Sequence, residues 1–140
     1  MKIEEGKISF TQKEAAIAVV ISVVMVSVVF WLINGTRVQN RDTERISDMT
    51  EIRQALRLYF INNGYFPLIP NPVIITGSDA FSKALQNDLV VREVFKDPIH
   101  PDFMYTYQSG PKGIQYVLRF CLETDGIQNY SKGCNNTITP

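Results

Sequence analysis

Two cysteines form the clearest chemically reactive pair in this sequence. Cys121 and Cys134 are the only cysteines, and twelve residues separate them. The spacing is not that of a C-x-x-C redox pair, and one histidine is too few to complete a zinc site. We therefore favour a disulfide, which would close a short loop and contribute ~3 kcal/mol of stability. Two buried free thiols are the alternative.

Other catalytic groups are sparse. His100 is the only histidine and lies between Ile99 and Pro101, so a histidine-based triad or metal site could not be built elsewhere in the chain. The sequence has no P-loop, no dinucleotide-binding glycine pattern and no Gly-x-Ser-x-Gly motif. Asp97, Asp102 and Asp125 could bind calcium, although the dense acidic spacing of a calcium loop is missing. We expect no enzyme, no metal and no cofactor, with calcium as a weak alternative.

A carboxylate stands at the start of a long apolar run. Residues 15–33 contain no charged residue, no Gly and no Pro, and as a helix they would span roughly 28 Å, about the thickness of a bilayer's hydrocarbon core. We predict a membrane helix, with a cleaved signal peptide as the alternative. Glu14, at the edge of this run, needs water or a cation nearby. It is either solvated beside Lys13 or paired with a specific partner.

A row of arginines follows the apolar run. Arg37, Arg41 and Arg45 recur every four residues among acidic residues, so that (i, i+3) pairs such as Arg45–Asp48 are available. This row is either a solvated, locally paired face or a salt-bridge seam between subunits, and Arg37 could instead contact lipid phosphates. The totals of Lys+Arg 14 and Asp+Glu 14 give no net charge, so we expect no nucleic-acid partner.

These residues must be positioned by a small number of elements. The residue pattern predicts one long helix over residues 11–62, with a buried stripe from Ile46 to Tyr59 and a stop at Asn62-Asn63-Gly64. It then predicts an irregular loop over 67–77, a helix capped by Ser78, a hairpin of strands 103–108 and 114–121, and a loop-like tail from Glu123. The expected fold class is α+β, with the helix packed on a small antiparallel sheet.

Several motifs, taken in chain order, resemble the type IV pilin superfamily, which includes the type II secretion pseudopilins. In that family a prepilin peptidase cuts before a Phe-Thr pair, and a glutamate is fifth in the mature chain. Here Phe10 and Thr11 follow Ser9, and Glu14 takes the fifth position. Further matches are residues 41–49, Leu-x-x-Tyr-Phe-x-x-Asn-Gly-Tyr-Phe-Pro at 56–67, Lys-Asp-Pro at 96–98, Tyr-x-Tyr at 105–107 and Gly-x-x-Tyr-x-Leu at 113–118.

The resemblance implies a domain plan: a leader over residues 1–9, a transmembrane segment over 10–35 and an exported pilin-like domain over 36–140. It also implies processing at Ser9–Phe10 and assembly through Phe10, Thr11 and Glu14, where Glu14 would pair with the new α-amine of Phe10 on a neighbouring subunit. The chain would cross the inner membrane once, with its C-terminal domain outside the cytosol. This placement agrees with the oxidising compartment in which disulfides persist.

The function expected from the resemblance is a structural one, as a subunit of a surface or periplasmic filament. The partners would be further copies of the chain, other pilin-like subunits, a prepilin peptidase, an assembly platform protein and membrane lipid. The competing hypothesis is an uncleaved single-pass protein whose exported domain binds a ligand or partner. Ser9 and Lys13 favour this alternative, because the family usually has Gly and an apolar residue there.

Overall fold

The computed structural model describes residues 11–92 and 96–140. Its elements are, in chain order, α1 (Gln12–Asn63), β1 (Val73–Ile74), α2 (Ala80–Asn87), β2 (Thr106–Ser109), β3 (Tyr116–Leu122) and β4 (Gly133–Ile138). The predicted α+β layout of a long N-terminal helix and a small antiparallel sheet is confirmed. The chain divides into two compact units, one ending at Arg37 and the other running from Val38 to Pro140, and α1 contributes residues to both.

Helix α1 is long because its 52 residues contain no proline and only one glycine, Gly35. It ends at the predicted stop. Gly64 follows with a φ of +78°, and its amide donates to the Phe60 carbonyl at 2.8 Å. This is the left-handed termination that glycine adopts without a steric penalty.

The sheet has four strands in the order β1-β2-β3-β4, with every neighbouring pair antiparallel. The predicted hairpin is confirmed as β2 and β3, in which Tyr107 pairs with Leu118. Alternate side chains are buried along β2 and from Tyr116 to Phe120 of β3, as the period-2 pattern requires, and Cys121 and Leu122 at the end of β3 are both buried. Residues 110–113 turn the chain between the two strands.

Two predictions about irregular segments were wrong. The tail beyond Glu123 contains β4, which pairs with β3 and places Asn136 opposite Phe120. The loop at 67–77 contains the short strand β1, whose Val73 pairs with Tyr107. Both strands lie at sheet edges, where only one neighbour provides hydrogen bonds and apolar alternation is not required.

The core of the second unit forms between α1 and the sheet. The helix buries Met49, Ile52 and Leu56 from the predicted stripe, and each is at most 2% exposed. The sheet contributes an aromatic layer, with Tyr107 stacked on Phe81 of α2 at a centroid distance of 4.2 Å. An isolated hairpin is at best marginally stable in water, so burial against the helix stabilises the sheet.

The residue that caps α2 differs from the prediction. Asp79, not Ser78, is the N-cap, and its carboxylate accepts from the amide of Ser82 at 3.0 Å. The same side chain accepts from the amides of Thr76 and Gly77. Asp79 therefore fixes the loop that leads into α2 as well as the first turn of the helix, and its hydrogen bonds lower its pKa despite burial.

Candidate functional site: the apolar segment of α1 and the buried ion-pair cluster

The N-terminal part of α1 is apolar on every side. Its most apolar stretch is 0% buried, and α1 is long and apolar enough to cross a membrane. Large side chains from Ile17 to Ile33 are exposed; Trp31, for example, is 75% exposed. Such a surface is unfavourable in water and requires lipid or protein contact.

The few polar side chains within this segment are satisfied by the helix itself. The Ser22 hydroxyl donates to the Ala18 carbonyl at 2.8 Å, and the Ser27 hydroxyl donates to the Val23 carbonyl at 2.8 Å. At the end of the segment, the Thr36 hydroxyl donates to the Ile33 carbonyl at 2.9 Å. Because these hydroxyls already have acceptors, they oppose insertion into an apolar environment only weakly.

The helix begins with the glutamate half of a capping box at the predicted assembly residues. The Thr11 amide donates to Glu14 Oε2 at 2.9 Å, and the Ala15 amide donates to the Thr11 carbonyl at 3.0 Å. Glu14 therefore has a local partner that sequence reasoning missed, although Thr-x-x-Glu before an apolar run is a recognised signal. Ser9 and Phe10, the predicted processing site, lie outside the described residues.

A buried ion-pair cluster, consisting of Asp42, Arg45, Asp97 and Glu123, lies in the second unit. Arg45 is 0% exposed and donates to both carboxylate oxygens of Asp97, at 2.8 and 3.1 Å. It also donates to Asp42 Oδ1 and Glu123 Oε1, each at 2.8 Å. The guanidinium stands 4.8 Å from the centre of the Phe103 ring. All three guanidinium nitrogens of Arg45 therefore donate to a carboxylate.

The cluster connects α1 to the chain that follows β3. Asp42 accepts from the amides of Glu123 and Thr124, each at 2.9 Å, and these bonds help lower its pKa even though burial raises it. Arg41 forms a two-point pair with Glu123 at the rim. Hydrogen bonds from Arg41, followed by those from Arg45, lower the pKa of Glu123 to about 2 despite burial.

The structure therefore corrects the interpretation of the arginine row. Arg45 cannot form an intersubunit seam because it is buried among partners from its own chain. Arg41 is also engaged within the chain, with Glu123 as its partner. Arg37, in the first unit, is exposed. The Arg45–Asp48 pair that the spacing allowed does not form; Arg45 donates to Asp42, three residues earlier on the helix.

Asp48 instead bonds to the sheet. It is 7% exposed and accepts from the Tyr105 hydroxyl at 2.8 Å. Burial, followed by the charges of Glu44 and Glu51, raises its pKa to about 6, although the bond from Tyr105 opposes this rise. Asp48 therefore lies beside other acidic residues, and the described part of the chain shows no ion pair to its carboxylate.

No family model, curated protein or solved structure matches this chain. The physical description of its sites therefore rests on its own residues. Cys121 and Cys134 are joined as a disulfide between the adjacent strands β3 and β4, as predicted.

The three aspartates considered for calcium do not come together as a ligand set. Asp97 is bound to Arg45, and Asp125 accepts from the Lys132 amide at 2.7 Å. Within residues 11–92 and 96–140, no three His, Cys, Asp or Glu side chains are grouped so as to hold a metal ion.

Proposed function

We propose that this chain is a structural subunit of a filament of the type IV pilus or type II secretion pseudopilus kind, anchored by α1 before assembly. The observation that carries the proposal is the exposed apolar surface of α1, which is 0% buried over its most apolar window. Within the first unit, the described residues of this segment leave its apolar side chains exposed. Lipid would cover it in the membrane, and the same segments of other copies would cover it in a filament.

The energetics suit reversible transfer between these two environments. Lipid tails are as apolar as Val and Ile, so exchanging lipid for protein contacts changes the hydrophobic term little. Close side-chain packing and the charged groups at the ends of the apolar segment would then decide whether copies associate. The apolar segment of α1 is rich in β-branched residues, and its serine hydroxyls are already hydrogen-bonded within the helix. Such a segment suits close packing because β-branched side chains have few rotamers to lose.

Glu14 is the charged group placed to act at the start of the segment. Its bond to the Thr11 amide holds the carboxylate beside the first turn, and a carboxylate accepts about four hydrogen bonds, so capacity for a cation remains. The sequence resemblance supplies a candidate cation, the α-amine of Phe10 on a neighbouring copy after removal of residues 1–9. The implied partners are a prepilin peptidase, an assembly platform protein and other pilin-like subunits.

The disulfide supports an extracytoplasmic position for the second unit. Cys121 and Cys134 are bonded across adjacent strands, and disulfides of this kind persist outside the cytosol. With α1 as a single membrane-spanning helix at the N-terminal side, the second unit would be exported. This topology is the one required of a subunit that leaves the membrane to join a filament.

The first experiment is to determine the N-terminal residue of the chain isolated from its own membranes. We expect a chain that begins at Phe10 and carries an N-methyl group. The Ser9→Gly variant should be cleaved at least as completely, because glycine is usual in the family at this position. A chain that still begins at Met1 or Lys2 would contradict processing and favour the uncleaved single-pass protein.

A second experiment separates the charge of Glu14 from its capping role. In Glu14→Gln, the amide oxygen can still accept from the Thr11 amide, but the negative charge is lost. We expect this variant to be processed and inserted normally but to yield few filaments by electron microscopy of sheared cells. Filament yield equal to that of the wild type would show that the carboxylate charge has no role in assembly.

A further inference from the structure

We propose that copies of this chain dock side by side through α1, with their helices parallel. The acidic flank of one copy, Glu44 and Glu51, faces a basic groove on the next copy that contains Arg53 and Arg57. This proposal rests on the filament function proposed above and deepens it by naming a contact between copies. All the residues it invokes lie in the second unit.

The basic groove has a volume of about 510 Å³ and lies beside the C-terminal part of α1. Its walls include Arg53 and Arg57, and its apolar lining includes Phe60, Phe66 and Tyr116. The rings of Phe60 and Phe66 lie 4.7 Å apart, as do those of Phe66 and Tyr116, so the lining is a packed aromatic surface. The groove therefore offers two cations beside a fixed apolar surface.

The two arginines are available to a partner. Both are exposed, and neither forms an ion pair or a side-chain hydrogen bond with any residue of 11–92 or 96–140. They are four residues apart, and so they lie on the same flank of the helix, about 6 Å apart along its axis. This contrasts with Arg41 and Arg45, whose charges are compensated within the chain.

The acidic flank is on the other side of the same helix. Glu51 and Arg53 are two positions apart, which is about 200° around the axis. Glu44 lies two helical turns before Glu51 on the acidic flank. Both glutamates are exposed and, within the described part of the chain, neither has an ion-pair partner. After burial, their negative charges help raise the pKa of the neighbouring Asp48, so both glutamates lie close to that carboxylate.

The apolar groups on the two flanks match in the same register. Leu58 is 52% exposed and lies on the acidic flank, about 10.5 Å beyond Glu51 along the axis. On the groove side, Phe60 follows the two arginines in the same direction. When two copies lie parallel with Glu51 level with Arg53, Leu58 lies level with Phe60, because seven residues separate Glu51 from Leu58 and Arg53 from Phe60. In this register Glu44 lies about 10.5 Å nearer the N-terminus than Arg53. Parallel packing suits copies that are anchored in one membrane with one topology.

A contact between two different flanks of one helix cannot close on itself as a two-fold dimer does. Each copy keeps one free flank after pairing, so further copies can add. The overall charge balance of Lys+Arg 14 against Asp+Glu 14 is compatible with close stacking of many copies, because charge does not accumulate along the stack. A second copy is thus the occupant that both flanks fit.

Charge reversal tests the contact in the full-length chain. The basic-pair variant is Arg53→Glu with Arg57→Glu, and the acidic-pair variant is Glu44→Arg with Glu51→Arg. Each variant alone places like charges opposite each other, and we expect its filament yield to fall by about tenfold or more, since exposed pairs of like charge are mutually destabilising. The matched control reverses two exposed lysines that lie on neither flank of α1 and do not line the groove, Lys83→Glu with Lys132→Glu, and should assemble normally.

The decisive result is whether filament yield recovers when the reversed charges are combined. When the two variants are co-expressed, the acidic groove of the basic-pair variant can face the basic flank of the acidic-pair variant. The basic groove of the acidic-pair variant can in turn face the acidic flank of the basic-pair variant, so filament yield should recover. The quadruple variant, which exchanges the charges within one chain, should also recover. Recovery shows in addition that the reversed chains fold, which near-UV circular dichroism of the six tyrosines, all in the second unit, checks independently.

The remaining outcomes separate the contact from the proposed function. If the wild type forms filaments and both reversed pairs assemble as the control does, the contact is wrong and the filament function stands. If each pair fails alone and neither the mixture nor the quadruple variant recovers, the groove binds another acidic molecule, and the self-contact is wrong. If the wild type forms no filament in its own membranes, the proposed function fails and the contact fails with it.

Discussion

Arg45 on α1 and Asp97, 52 residues later, form a two-point ion pair in which both side chains are 0% exposed. This pair attaches the chain before β2 to the helix, while Asp42 and Glu123 attach the chain after β3 to the same guanidinium. One side chain therefore connects three segments that are distant in sequence. Its removal would leave the buried carboxylates of Asp42 and Asp97 without a counter-charge, whereas Glu123 would keep its pair with Arg41.

We expect Arg45→Met to lower the free energy of unfolding by about 3–5 kcal/mol, because an unpaired buried charge is strongly unfavourable. Arg45→Lys should recover only part of the loss, since an ammonium cannot make the two parallel bonds to Asp97. Urea unfolding of the full chain in mild detergent, followed by near-UV circular dichroism of the tyrosines, measures the change. Arg57→Met is the control and should change the value by less than about 0.5 kcal/mol. Equal effects of Arg45→Met and Arg57→Met would contradict a central role for the cluster.

Asp48 makes the free energy of unfolding depend on pH over a range in which the other shifted carboxylates do not titrate. Its pKa is raised to about 6 in the folded chain, first by burial, and an unfolded aspartate titrates near 3.9. The folded state therefore binds the proton more tightly, and this stabilising contribution is complete below about pH 4 and is lost as pH rises through about 6. The charged groups facing Asp48 are Glu44, Glu51 and Asp97.

Asp48→Asn should remove this dependence. Between pH 4.5 and 7 the wild type should lose roughly 2 kcal/mol relative to the variant, which keeps an acceptor for the Tyr105 hydroxyl. Glu123 and Asp42 have lowered pKa values, so their contributions are present above their unfolded pKa and disappear only at lower pH, outside this window. Unfolding curves of both chains at several pH values make the comparison, with Asp102→Asn as the exposed control. Parallel curves would show that Asp48 titrates normally.

The predictable parts of this fold are those specified by nearby residues. The stripe from Met49 to Leu56 and the alternation around Tyr107 and Leu118 are periodic within one element, so the helix and the hairpin follow from the sequence. The disulfide follows from the presence of only two cysteines. The capping box at Thr11 and Glu14 was present as a pattern and was overlooked.

The parts that were missed depend on distant residues. Strand β4 has the sequence Gly-Cys-Asn-Asn-Thr-Ile, with no apolar alternation, and its pairing with β3 makes it a strand. Two acidic residues on the same helix, Asp42 and Asp48, lie three residues from Arg45, and spacing alone does not distinguish them as partners. Tyr105, 57 residues after Asp48, engages that acid, and Asp97 and Glu123 complete the arginine's partners. The spacing of neighbouring residues in the sequence therefore does not predict these partners.

The Cys121–Cys134 disulfide should stabilise β4 in particular. The bond closes a loop with a sequence separation of 13 residues, so we expect the Cys121→Ala, Cys134→Ala chain to lose about 2–4 kcal/mol. Because β4 is an edge strand held by β3 alone, its amides should exchange with deuterium much faster in the variant, whereas those at the centre of α1 in the second unit should change less. Reduction of the wild type provides a check without mutation. A loss of protection that is uniform across the second unit would show that the bond acts on the whole unit and not on this strand.

Two glycines with similar backbone angles allow strain and crowding to be separated. Gly64 has φ +78°, and a Cβ added there would have no atom within 4 Å, whereas at Gly113, with φ +63°, a Cβ would lie 2.9 Å from the Phe66 carbonyl oxygen. Gly64→Ala should therefore lose only about 1 kcal/mol, from the left-handed backbone. Gly113→Ala should lose about 2–4 kcal/mol, because the contact also displaces the Phe66 amide from its 2.7 Å bond to the Gly113 carbonyl.

The same comparison links the β2–β3 turn to the basic groove. Phe66 lines the groove, so its displacement in Gly113→Ala should disturb the aromatic surface that receives a second copy, while Gly64→Ala should leave it unchanged. We expect filament yield to fall in Gly113→Ala more than in Gly64→Ala at a temperature where both variants remain folded by near-UV circular dichroism. Equal yields would mean that the apolar lining of the groove does not contribute to docking, and that the charges of Arg53 and Arg57 act without it.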